Sequence, residues 1–271
     1  MPLADYKQYV AMDRLPSIWC PGCGNGVALK ALALALAESE IPPDKTLLAN
    51  GIGCSGRVGD YVRCHRFHGT HGRTLAFVTG IKLVRPEIKA VCLLGDGDCS
   101  AIGMSHFIHS ARRNVDIVTI VINNFNYGMT GGQFSPLSPY NMITSTSRSG
   151  KAEPDIDMCK LADVAGANYV SRTTIYHVAE MKNYIKESLG KKGFSLVEIV
   201  SPCPTYYARY NKIGTIIQQL EWLKEKFIPI ERYNEMNNDE KENFFWRGIL
   251  INRDLPDLYQ HMHKGVEVRK R

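Results

Sequence analysis

The fold can be predicted from residues 89–124, KAVCLLGDGDCSAIGMSHFIHSARRNVDIVTIVINN. This stretch opens with a short apolar run at 89–94 and closes with another at 117–122, and both runs are typical of buried strands. Between them, the spacing of apolar residues predicts a helix over 100–113. Two strands joined by a helix lie parallel in one sheet, so their carboxyl ends meet at the same edge. The polar residues that follow each strand are therefore expected to face one crevice.

The same alternation of helices and strands continues on both sides of this stretch. Apolar runs predict further strands at 46–49, 168–171 and 195–200. Helical spacing predicts helices at 25–40, 72–83, 157–165 and 176–189. This order predicts an α/β fold with a mostly parallel sheet covered by helices on both faces. The polar stretch 123–154 is too long for a simple connection and is expected to be functional or mobile.

The chain is long enough for one substantial core, with 271 residues of which 44% are hydrophobic and 22% charged. We expect one α/β domain over residues 1–213. From residue 214 the sequence is more charged, with the segments EWLKEKF and NNDEKEN, and it ends in VEVRKR. Residues 214–271 are therefore predicted to form an extension that packs on the domain or on a partner subunit and adds no strand to the sheet.

Charge and hydropathy exclude several classes of partner. The net charge of +6 is compatible with an acidic partner, but the basic residues are scattered and no nucleic-acid motif accompanies them. A solvated basic surface is the simpler interpretation. The sequence has no run of about eighteen apolar residues and no basic leader followed by an apolar segment. We expect a cytoplasmic protein that binds neither nucleic acid nor membrane.

The turn after the first central strand contains Asp96, and Asn124 follows the second. Their side-chain oxygens suit Mg²⁺, which usually binds through one or two side chains together with substrate phosphates. Glycines beside Asp96 let the backbone approach a diphosphate closely. A Gly-Asp-Gly turn alone is equally compatible with an ordinary turn. Followed by Asn-Asn after 25 intervening residues, 98–122, it resembles the signature of enzymes that bind thiamine diphosphate through Mg²⁺.

The eight cysteines of this chain favour metal-bound or buried thiols over disulfides. Cys20 and Cys23 form a Cys-x-x-Cys pair, whereas Cys54 and Cys203 each follow a predicted strand. Four thiolates from three loops at one sheet edge suit an iron-sulfur cluster, but they suit a structural zinc site as well. The remaining cysteines are predicted to be buried and without a role: Cys64, Cys92, Cys99 and Cys159.

Eight motifs carry a resemblance to a known family. They are WCPGCGNG (19–26), GIGCSGR (51–57), HGTHGR (68–73), LAFVTGIKL (75–83), GDGDCSAIG (95–103), HSARRN (109–114), NNFNYGMTGGQFSP (123–136) and VEIVSPCPT (197–205). Taken together and in this order, they resemble the β subunit of the 2-oxoacid:ferredoxin oxidoreductases. The resemblance implies a thiamine-diphosphate-binding fold with three cofactors: thiamine diphosphate, Mg²⁺ and one [4Fe-4S] cluster.

The resemblance also implies which residues hold each cofactor. The cluster ligands would be Cys20, Cys23, Cys54 and Cys203, and those of Mg²⁺ would be Asp96, the Asn124 side chain and the main-chain carbonyl of Asn126. Thiamine diphosphate would be surrounded by Ile52, Gly53, Cys54, Ser55, Gly69, Thr70, His71, Gly72, Gly97, Asp98, Gly128 and Met129. His71 is the candidate for a catalytic contact to the diphosphate or the reacting carbonyl. The alternative for His68 and His71 is a helix cap or a supporting role.

The activity implied by the resemblance is oxidative decarboxylation of a 2-oxoacid with coenzyme A, which gives acyl-CoA, CO₂ and reduced ferredoxin. In this family the glutamate that activates the cofactor lies on another subunit, so we expect an α or fused α/γ partner. Gly131, where some members carry lysine, favours 2-oxoglutarate, while pyruvate and branched-chain 2-oxoacids remain alternatives. Residues 145–152 are predicted to form a flexible loop, and the alternative is that Arg148 or Lys151 meets a second carboxylate.

Two further interpretations compete with this one. A thiamine enzyme without electron transfer, such as a non-oxidative decarboxylase, would leave the four cysteines unexplained. A zinc-stabilised scaffold with an incidental Gly-Asp-Gly turn is the non-enzymatic alternative. Colour distinguishes it, because zinc sites are colourless and iron-sulfur proteins are brown.

Overall fold

An eight-stranded sheet forms the centre of the protein in a computed structural model that describes residues 5–264. The strands are β1 Thr46–Asn50, β2 His65–His68, β3 Lys89–Gly95, β4 Val118–Asn123, β5 Tyr169–Thr174, β6 Ser195–Val200, β7 Phe227–Pro229 and β8 Phe245–Asn252. Their order is β2-β1-β3-β4-β6-β5-β8-β7, and only the β5–β8 pair is antiparallel among these described strands. The predicted mostly parallel sheet is confirmed.

Helices cover both faces of this sheet. They are α1 Asn25–Glu38, α2 Thr74–Val84, α3 Asp96–Ser100, α4 Met104–Arg112, α5 Met158–Ala165, α6 Val178–Gly190, α7 Tyr207–Tyr210, α8 Ile216–Lys226, α9 Ile230–Glu235, α10 Asn238–Lys241 and α11 Leu258–His263. Alternate residues of β3 feed two cores, since Val91 and Leu93 pack with α1 and α6, whereas Cys92 and Leu94 pack with α2, α4 and α5. Within residues 5–264, no helix is long and apolar enough to cross a bilayer.

The predicted helix over 100–113 corresponds to α4, which is shorter, and the separate helix α3 precedes it where only a turn was predicted. Ala101 leaves the helical region, with φ −104° and ψ −97°, and thereby separates the two helices. The Gly-Asp-Gly turn is consequently the first turn of α3, directly after β3. This arrangement places Asp96 and Asp98 at the carboxyl edge of the sheet.

The prediction that the segment after residue 214 adds no strand is wrong. β8 pairs with β5 in an antiparallel register, with Val170 opposite Ile251, and β7 extends the sheet beyond it. Trp246 of β8 is 4% exposed, so this strand also belongs to the core. The terminal VEVRKR segment lies outside the described residues, and the boundary at 213 stays a prediction.

Candidate functional site

A cavity of about 340 Å³ opens where β1, β3 and β4 end. Most of its lining comes from the residues directly after these strands, and Asn25 and His71 complete it. We call it the strand-end cavity. A second cavity of about the same volume is lined by Asp157, Arg172 and Glu198, but these charges are paired with one another. The strand-end cavity is therefore the better candidate for a ligand site, as expected for an open α/β sheet.

Asp96 is a buried carboxylate in this cavity, only 4% exposed. Its Oδ1 accepts a hydrogen bond from the Gly97 amide, and its Oδ2 accepts one from Ser135 Oγ, both at 2.8 Å. Burial raises the pKa of Asp96 to about 7, although the Ser135 bond acts in the opposite direction. A bound cation would stabilise the ionised carboxylate and offset the cost of its burial.

Two further oxygens lie beside this carboxylate. The side-chain oxygen of Asn124 lies beside two acceptors, the Asp96 carboxylate and the main-chain carbonyl of Asn126, and accepts only a long hydrogen bond, at 3.4 Å, from the Asn126 amide. If the amide were turned by 180°, its nitrogen would lie 3.3 Å from each Asp96 carboxylate oxygen and 2.5 Å from the Asn126 carbonyl oxygen. With the amide as placed, a divalent cation among these oxygens would offset their mutual repulsion. The three residues predicted to bind Mg²⁺ are thus brought together in a set that fits it.

Asp98 connects the cavity to the segment before α2. Its Oδ1 lies 2.6 Å from His71 Nδ1 and accepts a hydrogen bond from the Gly72 amide, also at 2.6 Å. The Asp98 side chain is 2% exposed and that of His71 is 41% exposed. A Cβ on Gly51 would lie 1.9 Å from Asp98 Oδ2, so only glycine fits beside this carboxylate. The contact holds His71 with Nδ1 toward Asp98 and leaves Nε2 for solvent or a ligand.

Several polar atoms in the lining have no hydrogen-bond partner within residues 5–264. These atoms are Asn25 Oδ1, Asp98 Oδ2 and both polar atoms of the Asn126 side chain, on residues that are at most 3% exposed. Buried polar groups are nearly always paired, so these orphaned atoms point to a polar ligand. Gly97 lets the Tyr127 ring pack against the backbone of the lining, because a Cβ on Gly97 would lie 1.8 Å from that ring. The lining therefore fits thiamine diphosphate.

The four cysteines predicted as cluster ligands lie near one another. Cys20 is exposed, and Cys23, Cys54 and Cys203 are partly buried. A Cβ placed on Gly128 would lie 3.6 Å from the sulfur of Cys54 and 3.6 Å from that of Cys203. Burial, and then the charges of the other three thiols, raises the pKa of Cys54 to about 11. The thiols thus act on one another electrostatically, and a metal centre would favour their deprotonation.

Zinc and an iron-sulfur cluster require different spacings of their four thiolates. Four thiolates around one zinc ion lie about 3.8 Å apart, because the Zn–S distance is about 2.3 Å. In the part of the chain that the structure describes, no three His, Cys, Asp or Glu side chains form a group that could hold a metal ion. A [4Fe-4S] cluster binds each thiolate through a different iron atom and therefore spreads its ligands more widely.

Nine of the twelve residues predicted to surround thiamine diphosphate line the strand-end cavity, which leaves three to be explained. Gly69, Thr70 and Gly72 are outside the described lining. They form the turn that carries His71, in which the Gly69 amide donates to the Asn50 carbonyl at 2.7 Å. These three residues therefore lie beside the cavity and position His71, and they do not line the cavity themselves.

Lys151 is buried and held by main-chain carbonyls, which fits neither the flexible loop nor the alternative contact with a substrate carboxylate. Lys151 is 1% exposed, and its Nζ donates to the carbonyls of Ser138, at 2.9 Å, and Pro154, at 3.2 Å. These bonds anchor the stretch 123–154 instead of serving a ligand. Arg148 is exposed and stacks on Tyr210, with 4.9 Å between its Cζ and the ring centroid.

Sequence reasoning assigned no role to three residues of the site. Ser135 donates a hydrogen bond to Asp96, which is 39 residues away in the sequence, and Tyr127 packs against Gly97. Asn25 donates a hydrogen bond to the Cys23 sulfur and also lines the cavity. All three lie within the motifs 19–26 and 123–136. Their position within those motifs is the feature of the sequence that points to them, but their contacts form only in the folded chain.

Comparison with known proteins agrees with this site. Residues 48–199 match the family of the thiamine pyrophosphate enzyme, C-terminal TPP binding domain. The chain is 43% identical over 263 residues to the 2-oxoglutarate synthase subunit KorB of Methanocaldococcus jannaschii, covering 97% of each chain. It is 40% identical over 255 residues to the 2-oxoacid:ferredoxin oxidoreductase subunit beta of Saccharolobus solfataricus, covering 89% of this chain and 84% of that one.

A solved structure shows the same fold. It is the 2-oxoglutarate:ferredoxin oxidoreductase from Magnetococcus marinus with 2-oxoglutarate, coenzyme A and succinyl-CoA bound. The superposition has a TM-score of 0.85 at 30% identity and covers 97% of this chain and 90% of that chain. The chain belongs to the family of thiamine-diphosphate-binding β subunits of the 2-oxoacid:ferredoxin oxidoreductases.

Proposed function

We propose that this chain is the β subunit of an enzyme that converts 2-oxoglutarate and coenzyme A into succinyl-CoA and CO₂ and passes the electrons to a ferredoxin. The proposal depends mainly on Cys54, which belongs both to the strand-end cavity and to the cysteine group. This residue lines the strand-end cavity, and its sulfur shares the space beside Gly128 with the sulfur of Cys203. An organic cofactor and an electron-accepting cluster would thus lie next to each other.

Bound thiamine diphosphate supplies the electron sink for decarboxylation, and a bound iron-sulfur cluster accepts electrons one at a time. In the proposal, Asp96, the Asn124 side chain and the Asn126 carbonyl hold the Mg²⁺ that binds the diphosphate. His71 Nε2 contacts the diphosphate or the reacting carbonyl, and Asp98 keeps the ring in place from Nδ1. Cys20, Cys23, Cys54 and Cys203 hold the [4Fe-4S] cluster.

The lining of the strand-end cavity supports the need for an α or fused α/γ subunit. Its described residues include the carboxylates Asp96 and Asp98 but no Glu, Lys or Arg. An activating glutamate and the cations for a dianionic substrate must then come from elsewhere. Ile52 and Met129 line the cavity yet are 42% and 50% exposed, so a partner that covers them would exclude water from the reaction.

The surface beside Cys203 supports ferredoxin, an acidic protein, as the electron acceptor. Residues 123–152 and 199–220 contain no Asp or Glu. The exposed cations Arg148, Arg209 and Lys212 form no ion pair within residues 5–264. Both arginines stack on Tyr210, at 4.9 and 5.5 Å from its ring centroid. Cations that look scattered in the sequence are therefore gathered near a cluster ligand.

Removing the positive charges of this surface is expected to slow the reduction of ferredoxin but not the reduction of a small dye. In a double variant, Arg148→Gln with Arg209→Gln, we expect the KM for ferredoxin to rise about tenfold at low salt. Charged residues at the edge of an interface mainly raise the rate at which an oppositely charged partner associates. Reduction of a small viologen dye should not change. The matched control is Arg112→Gln with Arg113→Gln, two exposed arginines at the opposite edge of the sheet. An equal effect of both pairs would contradict a specific docking surface.

The proposed function is tested on the chain co-expressed with its partner subunits and purified without oxygen. Iron and sulfide are measured, and EPR spectra are recorded after adding 2-oxoglutarate, pyruvate or 2-oxoisovalerate, each with coenzyme A. We expect a reduced-cluster signal that forms fastest with 2-oxoglutarate. If only another 2-oxoacid reduces the cluster, the substrate is wrong, and if zinc replaces iron the electron-transfer function is wrong.

A further inference from the structure

Asn25 lies between the cysteine group and the strand-end cavity. It is the first residue of α1, only 3% exposed, and its Nδ2 donates a hydrogen bond to the sulfur of Cys23 at 3.0 Å. The same residue lines the cavity. The side-chain amide of Asn25 thus donates a hydrogen bond to a predicted cluster ligand and also borders the strand-end cavity.

The other end of this amide has no partner. Asn25 Oδ1 is buried and makes no hydrogen bond within residues 5–264. A buried acceptor left unpaired costs about 1–3 kcal/mol, so its retention calls for an explanation. The strand-end cavity offers one, because a bound molecule there can present a donor to Oδ1.

The backbone beneath Asn25 is held firmly. The Gly24 amide donates to Ser201 Oγ at 3.1 Å, and a Cβ on Gly24 would lie 2.2 Å from Ile175 Cγ2 and 2.4 Å from Ser201 Oγ. Gly24 therefore has no room to shift, and Asn25 has a fixed place at the start of α1. Such a fixed amide can transmit a change at one end to the other.

We propose that Asn25 is a positioning residue that couples the two redox partners of this subunit. Its N–H group stabilises the extra negative charge that a reduced cluster places on the Cys23 sulfur, and its carbonyl accepts a hydrogen bond from a donor of the thiamine cofactor. Hydrogen bonds to cluster sulfurs raise the reduction potential. The proposal rests on the function proposed above and adds a residue to which no role was assigned.

Two variants separate the two ends of the amide. Asn25→Asp keeps the shape and an acceptor oxygen but replaces the donor with a negative charge, whereas Asn25→Ala removes both ends. We expect the cluster potential to fall in the order wild type, Asn25→Ala, Asn25→Asp. Affinity for thiamine diphosphate should fall about tenfold in Asn25→Ala, which corresponds to the loss of one hydrogen bond. In Asn25→Asp it should be retained more fully, because the acceptor remains.

The measurements are an EPR-monitored redox titration of the complex and a thiamine diphosphate titration followed by calorimetry. The control is Asn211→Ala, which removes a partly buried amide that pairs with Ile143 on the main chain and touches neither site. Unchanged potentials in both Asn25 variants with full iron content would overturn the cluster contact, and unchanged affinity in Asn25→Ala would overturn the cofactor contact. A complex that lacks iron refutes the proposed function itself, whereas reduction by pyruvate alone refutes only the substrate.

Discussion

Replacement of Asp96 by asparagine is expected to abolish Mg²⁺-dependent binding of thiamine diphosphate without unfolding the protein. The substitution keeps the shape of the side chain but removes the charge that a divalent cation requires. Burial already raises the pKa of this carboxyl to about 7, so a neutral amide relieves a cost of the cation-free fold. We therefore expect the melting temperature of the cofactor-free protein to be unchanged or slightly higher.

The loss of affinity should be large. Changing a residue that only supports a metal ligand costs about 10- to 100-fold in affinity, so losing a direct ligand should cost about 100-fold or more. The measurement is the shift in melting temperature on adding Mg²⁺ and thiamine diphosphate, which should vanish in Asp96→Asn. Asp60→Asn is the control, since Asp60 is an exposed carboxylate with only a loose ion pair to Arg57 at 3.7 Å. If Asp96→Asn keeps the wild-type shift, Asp96 is not a metal ligand.

Replacement of Cys203 by serine is expected to remove the iron-sulfur cluster and with it the reduction of ferredoxin. Serine offers a poor ligand to iron, whose clusters are held by thiolates. Iron and sulfide should fall from stoichiometric amounts to near zero, and the rate of ferredoxin reduction should fall about 100-fold or more, because the proposed cluster takes the electrons from the thiamine cofactor.

Cys64→Ser provides the matched control for this experiment. Cys64 is partly buried like Cys203, and burial raises the pKa of its thiol to about 11. Cys64 is not among the residues that line the strand-end cavity, so its loss should leave iron content and activity unchanged. Equal iron loss in both variants would point to general unfolding, and full iron retention in Cys203→Ser would remove Cys203 from the ligand set.

Much of this architecture follows from patterns that are local in the sequence. The runs that became β3 and β4 are short, apolar and followed by glycine or asparagine, so both their type and their ends could be predicted. Parallel pairing then brings whatever follows these strands to one edge. For this reason Asp96 and Asn124 could be expected together before any coordinates, although each motif alone was ambiguous.

Features that depend on tertiary contacts could not be predicted in this way. β8 is only partly buried and sits in a charged segment, so its pairing with β5 has no strong local pattern. β2 is a short and mostly exposed edge strand, which leaves no apolar run to detect. The bond from Ser135 to Asp96 depends on the path of a long loop, and no periodicity encodes such a path.

The loop that carries Cys203 is tied to the strand end that carries Asn124. The Cys203 amide donates to the Asn124 carbonyl at 3.0 Å, and the Ser201 amide donates to the Asn123 carbonyl at 2.8 Å. If air destroys the proposed cluster, the loop that carries Cys203 would be released and would hold Asn124 less firmly. Exposure of this subunit to oxygen would then remove two cofactors in sequence, first the iron and then the vitamin-derived cofactor. Repair with iron and sulfide alone would restore the colour of the protein before its turnover, and full recovery would also require fresh thiamine diphosphate.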